Sequence, residues 1–379
     1  MLFWGVGVSR PSNGSTKSSS SHLKRLLFLV LCLAITFCLL VFFTDPLHSS
    51  LSAVTVVRPN YPHFASFQLS SSHNYNGGSN NISRDDGSGM SNSISNLLPF
   101  DDFRQQDDDR PPRLRVQGTQ RRLPRALIIG VRKCGTRALI EMLNLHPDIR
   151  KSDSEVHFFE NDDRYMNGLE WYRKKMPYSF DNQITVEKTP SYFVSREAPG
   201  RIRAMSASVK LLLIVRDPAT RVLSDYAQIL ESKRYKGSSF KPFHKLVMLP
   251  NGEINDRYNA VQISQYVVHI LRWLRVFPRN QLHIVDGDKL IHNPYPEMRK
   301  IEKFLNLPPK INAGNFYFNR TKGFYCMRNE THQRCLADSK GRRHPYVDPG
   351  IIEALRRYFA PFNEQFYQIV GQNFSWPTE

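Results

Sequence analysis

Cysteine is scarce in this chain, with five residues in 379, and two of them, Cys32 and Cys38, sit inside an apolar run. That scarcity excludes a disulfide-dense scaffold, and no pair stands at zinc-site spacing with nearby histidines, so no metal is expected. Acidic side chains are also short in supply, at 34 Asp and Glu against 52 Lys and Arg, which leaves a net charge of +18. From residue 125 onward the count is 40 basic against 26 acidic, so most of the excess belongs to the part able to build a core. A polyanion is the expected partner: nucleic acid, an acidic polysaccharide or a membrane surface. No internal repeat is present, which excludes solenoids and propellers.

Long uncharged apolar runs are absent except at residues 26–43, about the minimum length for a membrane-spanning helix. Arg10, Lys17, Lys24 and Arg25 precede the run, and no basic residue follows it before Arg58. Positive charge stays in the cytosol, so everything after the run is expected to be lumenal or extracellular. A cleaved signal peptide is the competing reading, but no small-x-small site follows the run and its length exceeds a usual signal core. The expected order is a cytosolic tail at 1–25, a signal anchor at 26–43, a flexible stem at 44–122 rich in Ser, Asn, Gly, Asp and Gln, and one catalytic-sized domain at 123–379. The sequons at Asn81, Asn319, Asn329 and Asn373 lie on the lumenal side of this topology. Cys326 and Cys335 form a closely spaced pair that an oxidising lumen is expected to join; two free thiols are the alternative.

From residue 125, apolar strand-like runs at 126–129, 184–187, 211–215 and 282–285 alternate with helical patterns at 137–145, 220–230, 262–277 and 294–305. This predicts an α/β fold with a mainly parallel sheet flanked by helices, and ligands at the carboxyl ends of the strands. The first run enters G-x-x-K-x-G-T, in which Gly130 and Gly135 allow a tight turn and Lys133 faces an anion at the start of the next helix. Lysine stands before the second glycine, the wrong order for the nucleotidase pattern G-x-x-x-x-G-K-[ST]. A ligand-free strand-to-helix turn remains the plainer reading of the segment alone. The third run ends in Arg216, and Arg216 with Ser224 could reach one phosphate. The same stretch also imitates a kinase segment with Asp217 on magnesium, or a simple helix start with Arg216 in a surface ion pair.

Together these segments resemble the heparan sulfate sulfotransferases, and most closely the glucosaminyl 3-O-sulfotransferases, over about residues 125–376. The motifs are R-K-C-G-T-R-A-L at 132–139, S-E-V-H-F-F at 154–159, V-E-K-T-P-S-Y-F at 186–193 and R-D-P-A-T-R-V-L-S-D-Y at 216–226. Further on stand H-I-V-D-G-D at 283–288, N-F-Y-F-N-R-T-K-G-F-Y-C at 315–326 and S-K-G-R-R-H-P at 339–345. The resemblance implies a P-loop-like sulfotransferase domain that uses 3'-phosphoadenosine 5'-phosphosulfate (PAPS) and acts on heparan sulfate, in a single-pass type II protein of the Golgi membrane with a lumenal domain. The lumenal topology disfavours nucleic acid as partner. The resemblance implies Glu155 as base on the glucosamine 3-hydroxyl, His157 as its companion, and Lys133 and Lys188 as stabilisers of charge on the transferring group. If the segment is extended, Glu155 and His157 point to one side. Without the other motifs both would read as ordinary surface residues.

For the donor, the resemblance implies Cys134, Gly135, Thr136 and Arg137 beside Lys133, then Arg216 and Ser224 at the 3'-phosphate, and Tyr325, Lys340, Gly341 and Arg342 closing over it. Gln262 and Arg272, with Lys188 and Glu160, are implied on the acceptor side, whereas Trp273 shares an apolar helical face with Ile270 and Phe277 and reads as core. Two positions depart from the family pattern. Cys134 replaces a usual glycine and adds an oxidisable thiol to a tight loop, and Glu160 replaces an aspartate that helps to place the histidine or the substrate. An N-sulfating or other carbohydrate sulfotransferase, an inactive heparan-binding protein and a P-loop kinase are the alternatives.

Overall fold

The computed structural model describes residues 116–337, 341 and 344–379. The expected tail and anchor, the expected stem up to residue 115, the sequon at Asn81, and Lys340 and Arg342 lie outside the described residues, whereas Gln120 and Arg121, at the end of the expected stem, pair antiparallel with Ser179 and Tyr178. Among those described, no helix is long and apolar enough to cross a membrane.

Five strands form the central sheet: β1 (Ala126–Gly130), β2 (Ile149–Lys151), β3 (Ile184–Lys188), β4 (Lys210–Val215) and β5 (Leu282–Asp286). Their order is β2-β3-β1-β4-β5 and every neighbouring pair is parallel. β1 and β4 are apolar and buried along almost their whole length because helices cover both faces of a parallel sheet, and β3 buries Thr185, Glu187 and Lys188 beside Ile184 and Val186. Ile128 pairs with Lys188 and Val215 with Asp286, so the loops leaving β1, β3, β4 and β5 emerge together at one carboxyl edge. The three-residue edge strand β2 lacks a sequence signal of its own, and only the four longer strands are predicted above.

Helices α1 (Thr136–Leu143) and α2 (Pro218–Tyr235) begin at that edge, after β1 and β4. The helix predicted at 262–277 is interrupted at Gln265, giving α3 (Asn259–Ser264) and α4 (Tyr266–Leu274). The physical cause is the fully buried Arg221, whose guanidinium takes the Ala260 carbonyl at 2.8 Å and the Ser264 hydroxyl at 2.5 Å. An ion pair with Asp225 at 3.0 Å neutralises it. After α5 (Gly287–His292) and α6 (Pro294–Leu305) comes an antiparallel sheet of β6 (Phe316–Asn319), β7 (Phe324–Arg328) and β8 (Gln333–Arg334), with β7 in the middle. A disulfide joins Cys326 on β7 to Cys335 just past β8. The chain closes with α7 (Pro349–Val370), capped by the Asp348 carboxylate, which accepts from the Gly350 N–H, and stopped by the left-handed Gly371. Phe366 on this helix and Trp376 beyond it pack on Tyr266 of α4, and Phe374 stacks on both of them.

Candidate active site

At the end of β1 the backbone turns with Lys133 at φ 75° and Gly135 at φ 103°, both left-handed, and the second of these is a conformation that glycine alone adopts without strain. No side chain caps α1 and no acidic residue stands in its first turn, so its leading N–H groups face outward beside positive charge. Lys133 Nζ donates to Gln228 Oε1 on α2 at 2.8 Å. Arg137 pairs with the buried Glu141 at 3.0 Å. The Cys134 side chain turns away from the ligand face into the core, 3.4 Å from the Tyr266 hydroxyl. Burial lifts its pKa to about 11, which corrects the expectation of an oxidisable thiol in the loop: the sulfur is inert and sheltered, and only the Cys134 backbone is left to line the turn.

Past β4, Arg216 Nε is buried, lies 3.5 Å from Asp288 Oδ1 and forms no hydrogen bond. A buried guanidinium nitrogen left in that state suits an anion that arrives later. Asp217 is committed elsewhere, since its carboxylate accepts from the Ala219 and Thr220 N–H groups at 3.3 and 3.0 Å and from the Thr220 hydroxyl at 2.5 Å. It is the N-cap of α2, so the kinase alternative loses its magnesium ligand. Ser224 lies on the same helix, half-buried. Burial and the positive charges of Arg216 and Lys133 lower the pKa of His344, which therefore lies near the same cations. Gly341 backs so closely onto Phe324 that a Cβ there would meet its ring at 2.8 Å, and Tyr325, next on β7, packs edge-on against Phe318.

Glu155 follows β2 in a segment with no regular structure, and Lys188 is the last residue of β3. The Lys188 ammonium donates to Glu155 Oε1, while Glu155 Oε2 lies 3.5 Å from His157 Nε2. The other nitrogen, His157 Nδ1, is 2.5 Å from Glu160 Oε1, which also accepts from the Ser191 hydroxyl at 2.6 Å. The premise that residues 155–157 are extended is corrected: His157 has φ 52°, and the two side chains meet across a left-handed kink. Burial opposes charge on Glu155, but His157 and Lys188 outweigh it and hold its pKa at about 2. Burial likewise opposes charge on His157, yet hydrogen bonds to Glu155 and Glu160 raise it to about 9. At neutral pH Glu155 is therefore a carboxylate and His157 an imidazolium, in contact with Lys188 and Glu160. Glu160, although longer than aspartate, reaches the histidine.

A family model described as the sulfotransferase domain matches residues 123–375. The chain is 57% identical over 257 residues to the mouse (Mus musculus) heparan sulfate glucosamine 3-O-sulfotransferase 5, covering 67% of this chain and 74% of that one. It is 55% identical over 266 residues to the human (Homo sapiens) protein of the same name, covering 70% and 77%. The chain belongs to the heparan sulfate glucosamine 3-O-sulfotransferase family. A solved sulfotransferase from Alicyclobacillus acidocaldarius is 18% identical, with a TM-score of 0.49, covering 67% of this chain and 98% of that one.

Within this 3-O-sulfotransferase chain the remaining predicted positions divide. Among the described residues, neither Gln262 nor Arg272 hydrogen-bonds to the Glu155 group. The Gln262 carbonyl accepts from His269 Nε2 at 2.9 Å, and Arg272 Nη2 donates to the Val194 carbonyl at 2.9 Å and to His269 Nδ1 at 2.6 Å, tying α4 to the segment after β3. Trp273, Ile270 and Phe277 are core. Asn319 is half-buried, with its amide 3.7 Å from Cys335 Sγ, whereas Asn329 and Asn373 are exposed. Sequence reasoning singled out Lys188 in V-E-K-T-P-S-Y-F and missed Glu187, Thr189, Ser191 and Tyr192. The motif itself was the available signal, because hydroxyl-bearing residues so dense after a buried strand have polar groups to satisfy.

Proposed function

We propose that this chain transfers the sulfuryl group of PAPS to the 3-hydroxyl of a glucosamine unit in heparan sulfate, with Glu155 as the general base. The observation that carries the reading is the Glu155 carboxylate held between Lys188 and His157 on the sheet edge where the anion loop opens. Sulfuryl transfer needs a base on the acceptor oxygen, cations on the transferring group and fixed anion sites for the donor. Glu155 takes the 3-hydroxyl proton as the oxygen attacks sulfur, and the sulfur–oxygen bond to the departing 5'-phosphate breaks in line. His157, already protonated, cannot share the role of base and instead orients the carboxylate. Lys133 and Lys188 are flexible point charges suited to the sulfuryl and bridging oxygens. As Lys188 turns to them, its ion pair with Glu155 loosens and the carboxylate regains basicity.

The donor fits the residues present. The uncapped start of α1 accepts a 5'-phosphosulfate beside Gly135, Thr136 and Arg137, and Arg216 offers an unbonded buried nitrogen to a 3'-phosphate with Ser224 nearby. Tyr325, Lys340, Gly341 and Arg342 complete the donor side in this reading, and the basic surplus supports a sulfated, carboxylated acceptor. The reading includes the type II topology, with residues 26–43 as the anchor and the domain in the Golgi lumen. The test incubates the detergent-solubilised full chain with labelled PAPS and heparan sulfate and maps the label by mass spectrometry. Label at the glucosamine 3-hydroxyl, reduced by about 10²–10⁴-fold in Glu155→Gln with donor binding intact, is the expected result. Label on nitrogen or another hydroxyl overturns the acceptor assignment. Tight binding of both partners without transfer identifies a binding protein.

A further inference from the structure

Three successive backbone N–H groups in the segment that carries Glu155 and His157 each end on a side chain from one short stretch. The Val156 N–H donates to Glu187 Oε1 at 3.3 Å, the His157 N–H to Thr189 Oγ1 at 3.3 Å, and the Phe158 N–H to the Tyr192 hydroxyl at 3.2 Å. The acceptors are themselves tied together, since Thr189 Oγ1 donates to Glu187 Oε1 at 2.5 Å and the Tyr172 hydroxyl donates to Glu187 Oε2 at 3.3 Å. Glu187, Thr189, Tyr192 and Tyr172 are all fully buried, and no cation pairs with Glu187 among the described residues. A carboxylate is costly in such a place unless its oxygens are filled, and here both are filled by groups that fix the segment or its support. Extended backbone at Thr189 sets residues 187 and 189 on one side of the strand end. Lys188, between them, turns to Glu155.

We infer that Glu187, Thr189 and Tyr192 act as a positioning rack, holding the Glu155–His157 segment in register with Lys188 without touching substrate themselves. One stretch of chain thus supplies both the cation that contacts the base and the acceptors that fix the backbone on either side of it. The left-handed kink at His157 is held by the bond from its own N–H and by one from each following or preceding neighbour. Small displacements of a reacting group cost turnover steeply, so the rack acts on kcat rather than on donor binding.

This inference rests on the proposed sulfuryl transfer, and its test separates the two. Thr189→Val and Tyr192→Phe each delete one hydroxyl with little change of shape, and Thr189→Ser restores the hydroxyl. With the full chain, the double variant is expected to lose about tenfold or more in kcat. The dissociation constant for 3'-phosphoadenosine 5'-phosphate stays within about twofold, Thr189→Ser recovers most of kcat, and amide hydrogen exchange at 156–158 speeds up. The inference is overturned if exchange at 156–158 is unchanged, if Thr189→Val and Thr189→Ser behave alike, or if donor affinity falls in parallel with kcat. Should the double variant not fold, Thr189→Val alone decides. If the wild-type chain transfers no sulfate, the proposed function falls while the exchange measurement still tests the rack.

Discussion

Glu155 and His157 move in opposite directions from their ordinary ionisation, and this fixes how the site responds to pH. His157 is raised from 6.5 to about 9, so the stability its charge contributes is fully present below pH 6.5 and is lost as pH climbs through 9. Glu155 is lowered from 4.5 to about 2, so its contribution is complete above pH 4.5 and is lost as pH falls through 2. The ion cluster is therefore strongest between those ordinary values. The thermal midpoint of the wild type is expected to fall more steeply between pH 6.5 and 9 than that of His157→Gln. Equal slopes would remove the imidazolium from the account, and titration of the His157 ring by NMR near its ordinary value would do the same. Glu155, His157 and Lys188 were legible because a motif names them. The role of Glu187 was not, since no local pattern tells that a strand carboxylate accepts an N–H from a residue 31 positions earlier.

At the scale of elements, the four buried strands were readable because parallel strands covered on both faces carry runs of buried apolar residues, which β3 keeps beside its buried Glu187 and Lys188, and their ends shift by no more than a residue from the runs in the sequence. Helix α7 escaped notice despite Asp348 and Pro349 at its start and Gly371 at its end, because Pro361 interrupts the pattern. The division of α3 from α4 was illegible for another reason: it depends on the buried guanidinium of Arg221, which no periodicity reveals. Packing between elements also constrains the anion loop. Gly287 at the head of α5 lies against two backbone carbonyls, and a Cβ there would stand 2.6 Å from the Val215 oxygen and 2.7 Å from the Cys134 oxygen. Backbone cannot yield as a side-chain tip does, so Gly287→Ala should displace the turn at a cost of about 1–3 kcal/mol. Affinity for 3'-phosphoadenosine 5'-phosphate is expected to drop by roughly tenfold or more, measured by calorimetry. An unchanged affinity would separate this packing contact from the donor site.

Across the whole molecule, the net charge of +18 and the half-buried Arg216 represent two kinds of electrostatics. Charges spread over the surface act through water and are screened, with a Debye length of roughly 8 Å at 0.15 M salt and 3 Å at 1 M. A guanidinium whose Nε is buried and the start of a helix would, on the proposed reading, meet a donor phosphate at contact distance, where screening is weak. The two substrates should therefore part company as salt rises. On the proposed reading, in which the basic surplus attracts the acceptor, heparan sulfate is expected to lose about tenfold or more in affinity between 0.15 and 1 M sodium chloride, while 3'-phosphoadenosine 5'-phosphate loses much less. Titrating each ligand separately into the full chain at both salt concentrations measures the difference. Parallel losses would mean that the donor too is held mainly by exposed charge, and would move its 3'-phosphate away from Arg216.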